Sequence, residues 1–251
     1  MKVAYFFYHW LIAVPIFLVL TAITAITTSI GSILASRNFF GYWPPHYWAK
    51  LTCWVFLIRV KVVGSENIDK KTSYIFVANH QGAFDIFTIY GFLGHNFKWL
   101  MKKSLEKIFL VGAACRNAGH IFVDDSKITA IKDTIAQAED TLKDGMSLVI
   151  FPEGSRSWDG KMIPFKRGAF MLAAEFNRPV VPVTIEGSFH SFARFAKQVS
   201  PGLITLTIHQ PIEPGPKGFN TKQLMAQCRV AIESALKEEN KGESVGERVI
   251  G

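Results

Sequence analysis

The chain opens with a long uncharged interval. Residues 3–36 contain no Asp, Glu, Lys or Arg. A helix needs about 20 apolar residues to cross the hydrocarbon of a bilayer, so this run is long enough to span. The apolar stretch of a cleaved secretory leader is only roughly 7–15 residues long. Pro15 and the small polar residues Thr24, Thr27, Thr28, Ser29, Gly31 and Ser32 dilute the apolar character, which allows a bent or shallow helix as well as a straight span. An aromatic cluster follows at 39–48, broken by Gly41, Pro44 and Pro45. Such rings favour the membrane–water interface. Residues 46–58 are mostly apolar again but include Lys50. They predict a helix lying along the membrane surface, with a core helix of the globular part as the competing reading. Residues 1–60 are thus expected to anchor the chain.

After Gly64 the pattern changes to short apolar runs separated by amphipathic stretches. Strands are predicted at 73–78, 97–101, 121–123, 147–151, 180–185 and 204–209, and helices at 85–92, 127–143, 168–176 and 221–238. In 127–143, Ile128, Ile131, Ile135, Ala138 and Leu142 recur at steps of three and four. In the last helix Leu224, Cys228, Ala231 and Ala235 share a face. The polar end, 239–251, reads as a disordered tail. This alternation predicts one α/β domain over 61–238, with a mostly parallel central sheet flanked by helices. In sheets of this kind ligands collect beyond the strand ends. Two polar motifs, 79–85 and 151–156, each follow a predicted strand directly.

Charge and cysteine content narrow the setting. The formal net charge is +8, with 49% apolar and 19% charged residues. A basic surface attracts nucleic acid, anionic lipid or phosphorylated substrates. The apolar N-terminus and the lack of any recognised nucleic-acid motif count against the first. Cys53, Cys115 and Cys228 are scattered and odd in number, which fits reduced thiols on a cytosolic face. Only Lys2 precedes the apolar run, whereas Arg37, Lys50, Arg59 and Lys61 follow it. The positive-inside rule then places the globular part on the cytoplasmic side of the inner membrane.

His80 and Asp85 stand five positions apart with Gly82 between them. On one continuous helix they would point about 140° apart. If Gly82 loosens the turn, His80 ends a strand and Asp85 begins a helix. The carboxylate can then hold one imidazole nitrogen and leave the other as a base toward a hydroxyl. An ordinary strand-to-helix turn with an N-terminal acid has the same spacing. The second motif runs Phe151-Pro152-Glu153-Gly154-Ser155-Arg156-Ser157. Arginine suits bidentate phosphate contact, and glycine allows a ligand close to the backbone. Lys161, Lys166 and Arg167 follow, so a solvated basic loop is the alternative. No G-x-S-x-G elbow follows a predicted strand, the one match at 242–246 falling in the polar tail, and there is no Walker loop, G-x-G-x-x-G or zinc-type cluster. No metal or cofactor is expected.

Taken in order over 60–211, these residues resemble the 1-acylglycerol-3-phosphate (lysophosphatidate) acyltransferase family of the glycerolipid acyltransferase superfamily. The matching blocks are NHxxxxD at Asn79, His80 and Asp85; Gly119-His120-Ile121-Phe122-Val123-Asp124; FPEGxRS at 151–157; and Val181-Pro182-Val183 leading to Gly187-Ser188. The resemblance implies an acyltransferase domain in which His80 is the base on the acceptor hydroxyl and Asp85 orients it. It implies a thioester co-substrate, acyl-coenzyme A or acyl carrier protein, attacked directly with no acyl-enzyme. Glu153, Gly154 and Arg156 match positions that bind the glycerol phosphate, and Lys102 matches a further lysine placed to meet it. The implied acceptor is lysophosphatidate, a lysophospholipid met among membrane lipids, and the product is phosphatidate. Two positions depart from the family pattern. Asp125 replaces a frequent arginine, which keeps another lysophospholipid, glycerol 3-phosphate or an amino-lipid open as acceptor. Phe109 replaces a common proline and reads as a packing change. A non-catalytic lipid-binding module is the reading from another class, and the intact His80–Asp85 and Glu153–Arg156 sets argue against it.

Overall fold

The apolar runs become the middle of one twisted sheet. The computed structural model describes residues 2–124, 128–214 and 221–242. Among the described residues seven strands occur: β1 Ile58–Val63, β2 Ile75–Ala78, β3 Phe97–Lys102, β4 Ile121–Val123, β5 Ser147–Ile150, β6 Val180–Glu186 and β7 Gly202–Ile208. Their spatial order is β1-β7-β6-β2-β5-β3-β4. All neighbours run parallel except β6 and β7. The helices are α1 Lys2–Tyr8, α2 Val14–Leu34, α3 Arg37–Phe40, α4 Trp43–Val55, α5 Phe84–Phe92, α6 Val111–Asn117, α7 Ile128–Lys143, α8 Gly168–Phe176, α9 Ser188–Phe192 and α10 Thr221–Ser234.

Central strands β2 and β5 are buried at every position, which is why they read as unbroken apolar runs. Side chains alternate between two cores. Phe76 and Ala78 join Cys53, Phe84, Ile89 and Phe97 on the α4–α5 side. Ile75 and Val77 join Ala138, Leu142, Phe170, Leu224 and Cys228 on the α7–α8–α10 side. The predicted α/β architecture is thus the one observed.

The differences from expectation lie at the edges. Strand β1 was not predicted, and a boundary at 60/61 cuts through it. It is an edge strand on β7, and its Arg59 and Lys61 stand among apolar residues, so it lacks the unbroken run of a central strand. Helix α4 packs as a core helix on one side, in line with the competing reading of 46–58. Ala49, Thr52 and Cys53 are buried, while Tyr47, Leu51 and Trp54 stay exposed on its other side. Phe109 is not a packing residue, because its ring stands 86% exposed. Residues 239–242 are not loose. Asn240 is buried, donates from Nδ2 to Glu186 Oε1 at 2.9 Å and accepts from Met162 N–H at 3.1 Å. The remainder of the expected tail lies outside the described residues.

The N-terminal helix is continuous over Val3–Leu34, 32 residues with mean hydropathy 2.3 in its most apolar window. At 1.5 Å per residue that is about 48 Å, against a hydrocarbon core of about 30 Å. Length and composition therefore fit a span. A π-helical turn at His9–Ala13 precedes Pro15, which has no N–H to give to the helix ladder. The helix is also bolted to the domain. Tyr8 donates its hydroxyl to Val55 O at 2.7 Å, and Trp48 Nε1–H donates to Thr21 Oγ1 at 3.0 Å. Helix α2 packs on α4 and α6.

Candidate active site

Parallel pairing of β2 with β5 brings the two motifs side by side. Val77 lies opposite Ile150, so three residues further on His80 falls beside Glu153. The adjacency is realised as a hydrogen bond from His80 N–H to Glu153 Oε1 at 2.7 Å. The second carboxylate oxygen, Oε2, accepts from Ile163 N–H at 3.0 Å. Glu153 is buried among these groups. Burial pushes its carboxyl up to about 8, and the Asp85 charge adds to the rise, against the pull of the two backbone N–H groups and of Arg229. Ser157 N–H completes the tie by donating to His80 O at 2.9 Å.

The turn between β2 and α5 is held from both sides. Asn79 extends the ladder with its side chain, donating from Nδ2 to Ile185 O at 2.9 Å and accepting from Ile185 N–H at 2.8 Å. Beyond it the chain leaves the sheet, and Asp85 enters the first turn of α5. Asp85 Oδ2 accepts from His80 Nδ1 at 2.7 Å and from the N–H groups of Gln81 and Gly82 at 2.8 and 2.9 Å. The oxygen acts as acceptor to all three. Nδ1 of His80 therefore carries the proton, and Nε2 keeps its lone pair. Gly82 is there for space, since a Cβ on it would lie 2.5 Å from Ser188 O. The His80 ring stacks on Phe151 at 4.0 Å and 9°, and Phe151 stacks in turn on Trp99 at 5.3 Å.

His80 opens onto a cavity of about 570 Å³. Its mouth carries Lys102, Gly154, Arg156 and Arg194. Its interior is mostly apolar, walled by Ala25 and Thr24 of α2, Ala114 of α6, and Leu100 and Met101 of β3. Two of the three threonines that diluted the N-terminal helix, Thr24 and Thr28, thus line the cavity. At the floor His120 Nδ1 accepts from Trp99 N–H at 3.2 Å, so neutral His120 donates from Nε2 to the Tyr90 oxygen at 2.6 Å. Burial, then the charges of Lys98 and Arg37, hold His120 down to about 3. Lys98, buried beside Arg37, is itself lowered to about 8 and donates to Ala118 O at 2.8 Å.

The cavity therefore gathers His80, Lys102, Gly154 and Arg156, with Asp85 directly behind His80. Glu153 turns away from it and braces the His80 backbone. Gly154 adopts φ +73°, and a Cβ there would meet the Lys166 side chain at 2.9 Å. Asp125 lies outside the described residues. Sequence reasoning overlooked Arg194, whose guanidinium covers the Trp158 ring at 4.1 Å and whose Nη1 donates to Arg156 O at 3.4 Å. It also missed the clamps made by Asn79 and by Gln81, which donates to Gly160 O at 2.7 Å. Asn79 and Gln81 sit within the motif itself, but their partners come from distant segments. Among the described residues no group of His, Cys, Asp and Glu could hold a metal ion.

Comparison with known proteins gives a consistent picture. The Acyltransferase family pattern matches residues 59–186. The 1-acyl-sn-glycerol-3-phosphate acyltransferase of Chlamydomonas reinhardtii is 29% identical over 241 residues, covering 94% of this chain and 70% of that protein. The chloroplastic BAT2 enzyme of the same description from Brassica napus is 31% identical over 178 residues, 70% of this chain. The chain spans about half the length of that relative, 51%. Among solved structures, the 1-acyl-sn-glycerophosphate (LPA) acyltransferase PlsC from Thermotoga maritima superposes with TM-score 0.70 at 29% identity. The overlap covers 89% of this chain and 95% of that one.

Proposed function

Because the chain belongs to the acyltransferase family, we propose that it moves a fatty acyl group from a thioester to the sn-2 hydroxyl of 1-acylglycerol 3-phosphate, giving phosphatidate. The observation that carries this reading is the His80–Asp85 pair, 2.7 Å apart, at the mouth of a mostly apolar cavity rimmed by Lys102, Arg156 and Arg194. The cavity accepts an acyl chain, the cations accept a phosphate, and the imidazole opens onto the same cavity. The named activities of the relatives point to the same acceptor.

In the proposed reaction His80 Nε2 takes the proton of the acceptor hydroxyl as its oxygen attacks the thioester carbonyl. The carbon–oxygen bond forms, the tetrahedral centre collapses, and the carbon–sulfur bond breaks. The proton passes from His80 to the departing thiolate, so no acyl-enzyme is needed. Asp85 holds the imidazole in the productive tautomer and favours the imidazolium as it forms. Lys102 and Arg156 bind the glycerol phosphate, with Gly154 admitting it close to the backbone. Glu153 serves the site by fixing the His80 loop. The thioester is borne by coenzyme A or an acyl carrier protein, and the enzyme works at the cytoplasmic face of the inner membrane.

The test is to purify the chain in detergent and supply acyl-coenzyme A or acyl carrier protein with a panel of lysolipids. Phosphatidate is expected from lysophosphatidate, and His80→Ala should abolish it. Equal rates for wild type and variant would sink the mechanism.

A further inference from the structure

Between β3 and α6 the chain makes an unusual turn. Residues Lys103–Lys107 form a 3₁₀ helix. Leu110 then takes φ 60°, ψ −48°, and Val111 N–H donates to Phe109 O at 2.7 Å. This is a γ-turn of the rare positive-φ kind, which a leucine adopts only under strain. The turn thrusts the Phe109 ring into solvent at 86% exposure, with Ile108 and Leu110 beside it. Strained backbone and exposed aromatic surface are both unfavourable in water, yet the segment is rigidly built. Gly112 N–H donates to Ile108 O at 2.8 Å, and a Cβ on Gly112 would lie 2.0 Å from Glu106 O. The fold holds this apolar tip out rather than letting it collapse.

The tip has two settings that identify its partner. Leu105 and Ile108 line the cavity, so the loop is its lip. Helix α6, which the loop starts, packs on α2, whose exposed side chains include Leu18, Ile23, Ile26 and Ile30. The loop and the helix it starts carry the cations Lys103, Lys107 and Arg116 and the acid Glu106, which pairs with Lys103 at 2.6 Å and Arg116 at 2.8 Å. An exposed apolar tip on a loop of net positive charge, beside an apolar helix, suits a leaflet carrying anionic phosphates.

We propose that the segment 103–110 is a second membrane-inserting element, which seats Phe109 among lipid acyl chains and turns the cavity lip into the bilayer. The insertion itself does not depend on the catalytic assignment; only the kinetic readout below rests on the proposed acyl transfer. The full chain carrying Phe109→Cys is labelled with an environment-sensitive fluorophore, with Cys115→Ser to suppress background. It is reconstituted in phosphatidylcholine–phosphatidylglycerol vesicles. Emission should shift to the blue and be quenched several-fold by bromine on the lipid tails. Emission like that of the same label at Lys197→Cys, without quenching, overturns the proposal. A blue shift without bromine quenching does so too, because it marks a protein partner. In kinetics, Phe109→Asp should raise KM for vesicle-borne lysolipid by about tenfold, while turnover of detergent-dispersed acceptor stays within about twofold. Phe109→Leu should restore most of the loss. An equal defect in vesicles and detergent overturns the membrane role. If no acyl transfer is found at all, the catalytic reading fails and the fluorescence result still decides the insertion.

Discussion

At the scale of single residues the site is organised by one carboxylate oxygen. Asp85 Oδ2 fixes the His80 ring and two backbone N–H groups at once. His80 and Asp85 should therefore fail differently. His80→Ala is expected to lower kcat by roughly 10²–10⁴-fold with only a moderate loss in the thermal midpoint, because the Gln81 and Gly82 N–H groups still satisfy Asp85 Oδ2 when the ring is gone. Asp85→Asn is expected to lower both, because the buried donors of Gln81 and Gly82 lose their anionic acceptor. Thermal melts alongside steady-state rates separate the two. Glu153 predicts a pH dependence. Its folded value, about 8, lies above the ordinary carboxyl value of 4.5. The folded state holds the proton more tightly, so this group's stabilisation is complete below pH 4.5 and is lost as pH rises toward 8. In Glu153→Gln the thermal midpoint should lose that component of its decline over the same window. The His80–Asp85 chemistry was legible because it is local in sequence. The bracing role of Glu153 was not, because it depends on the register of β2 against β5 across 73 positions.

The elements explain why the motif has its particular letters. Gly82 lets the β2–α5 turn pass against the β6–α9 turn, with Ser188 O where a side chain would stand. Gly82→Ala should cost about 1–3 kcal/mol by forcing these turns apart, with a matching loss of activity. Circular-dichroism melts and rate measurements check both. Sequence pattern found β2, β5 and β6 because strands buried on both faces are mostly apolar. It missed β1, where the charges Arg59 and Lys61 hide an edge strand. It missed α6 because Val111–Asn117 spans barely two turns and starts from a strained residue rather than a capping one. In α4 the pattern could not say which side faced protein, because both sides are rich in apolar residues.

For the whole molecule, the N-terminal helix is a wall of the cavity as well as a candidate membrane span. Thr24, Ala25 and Thr28 of α2 wall the cavity, so the candidate span and the candidate site share a helix. Ala25→Leu should shift preference toward shorter acyl chains, read by competing donors of different length. The expectation of separate anchoring and catalytic regions came from composition, which records apolar content but not which side of a helix meets the substrate. On the proposed reading, a lipid tail on one side of α2 would have only a helix's thickness between it and the chamber on the other. Drawing that tail from the bilayer into the chamber exchanges one hydrocarbon phase for another. The free energy of leaving water, which dominates apolar binding from solution, cancels from this partition. Affinity then resides in the head group and its phosphate. Discrimination between acceptor tails then falls to how well each one positions the acceptor hydroxyl for attack, and so to turnover rather than occupancy.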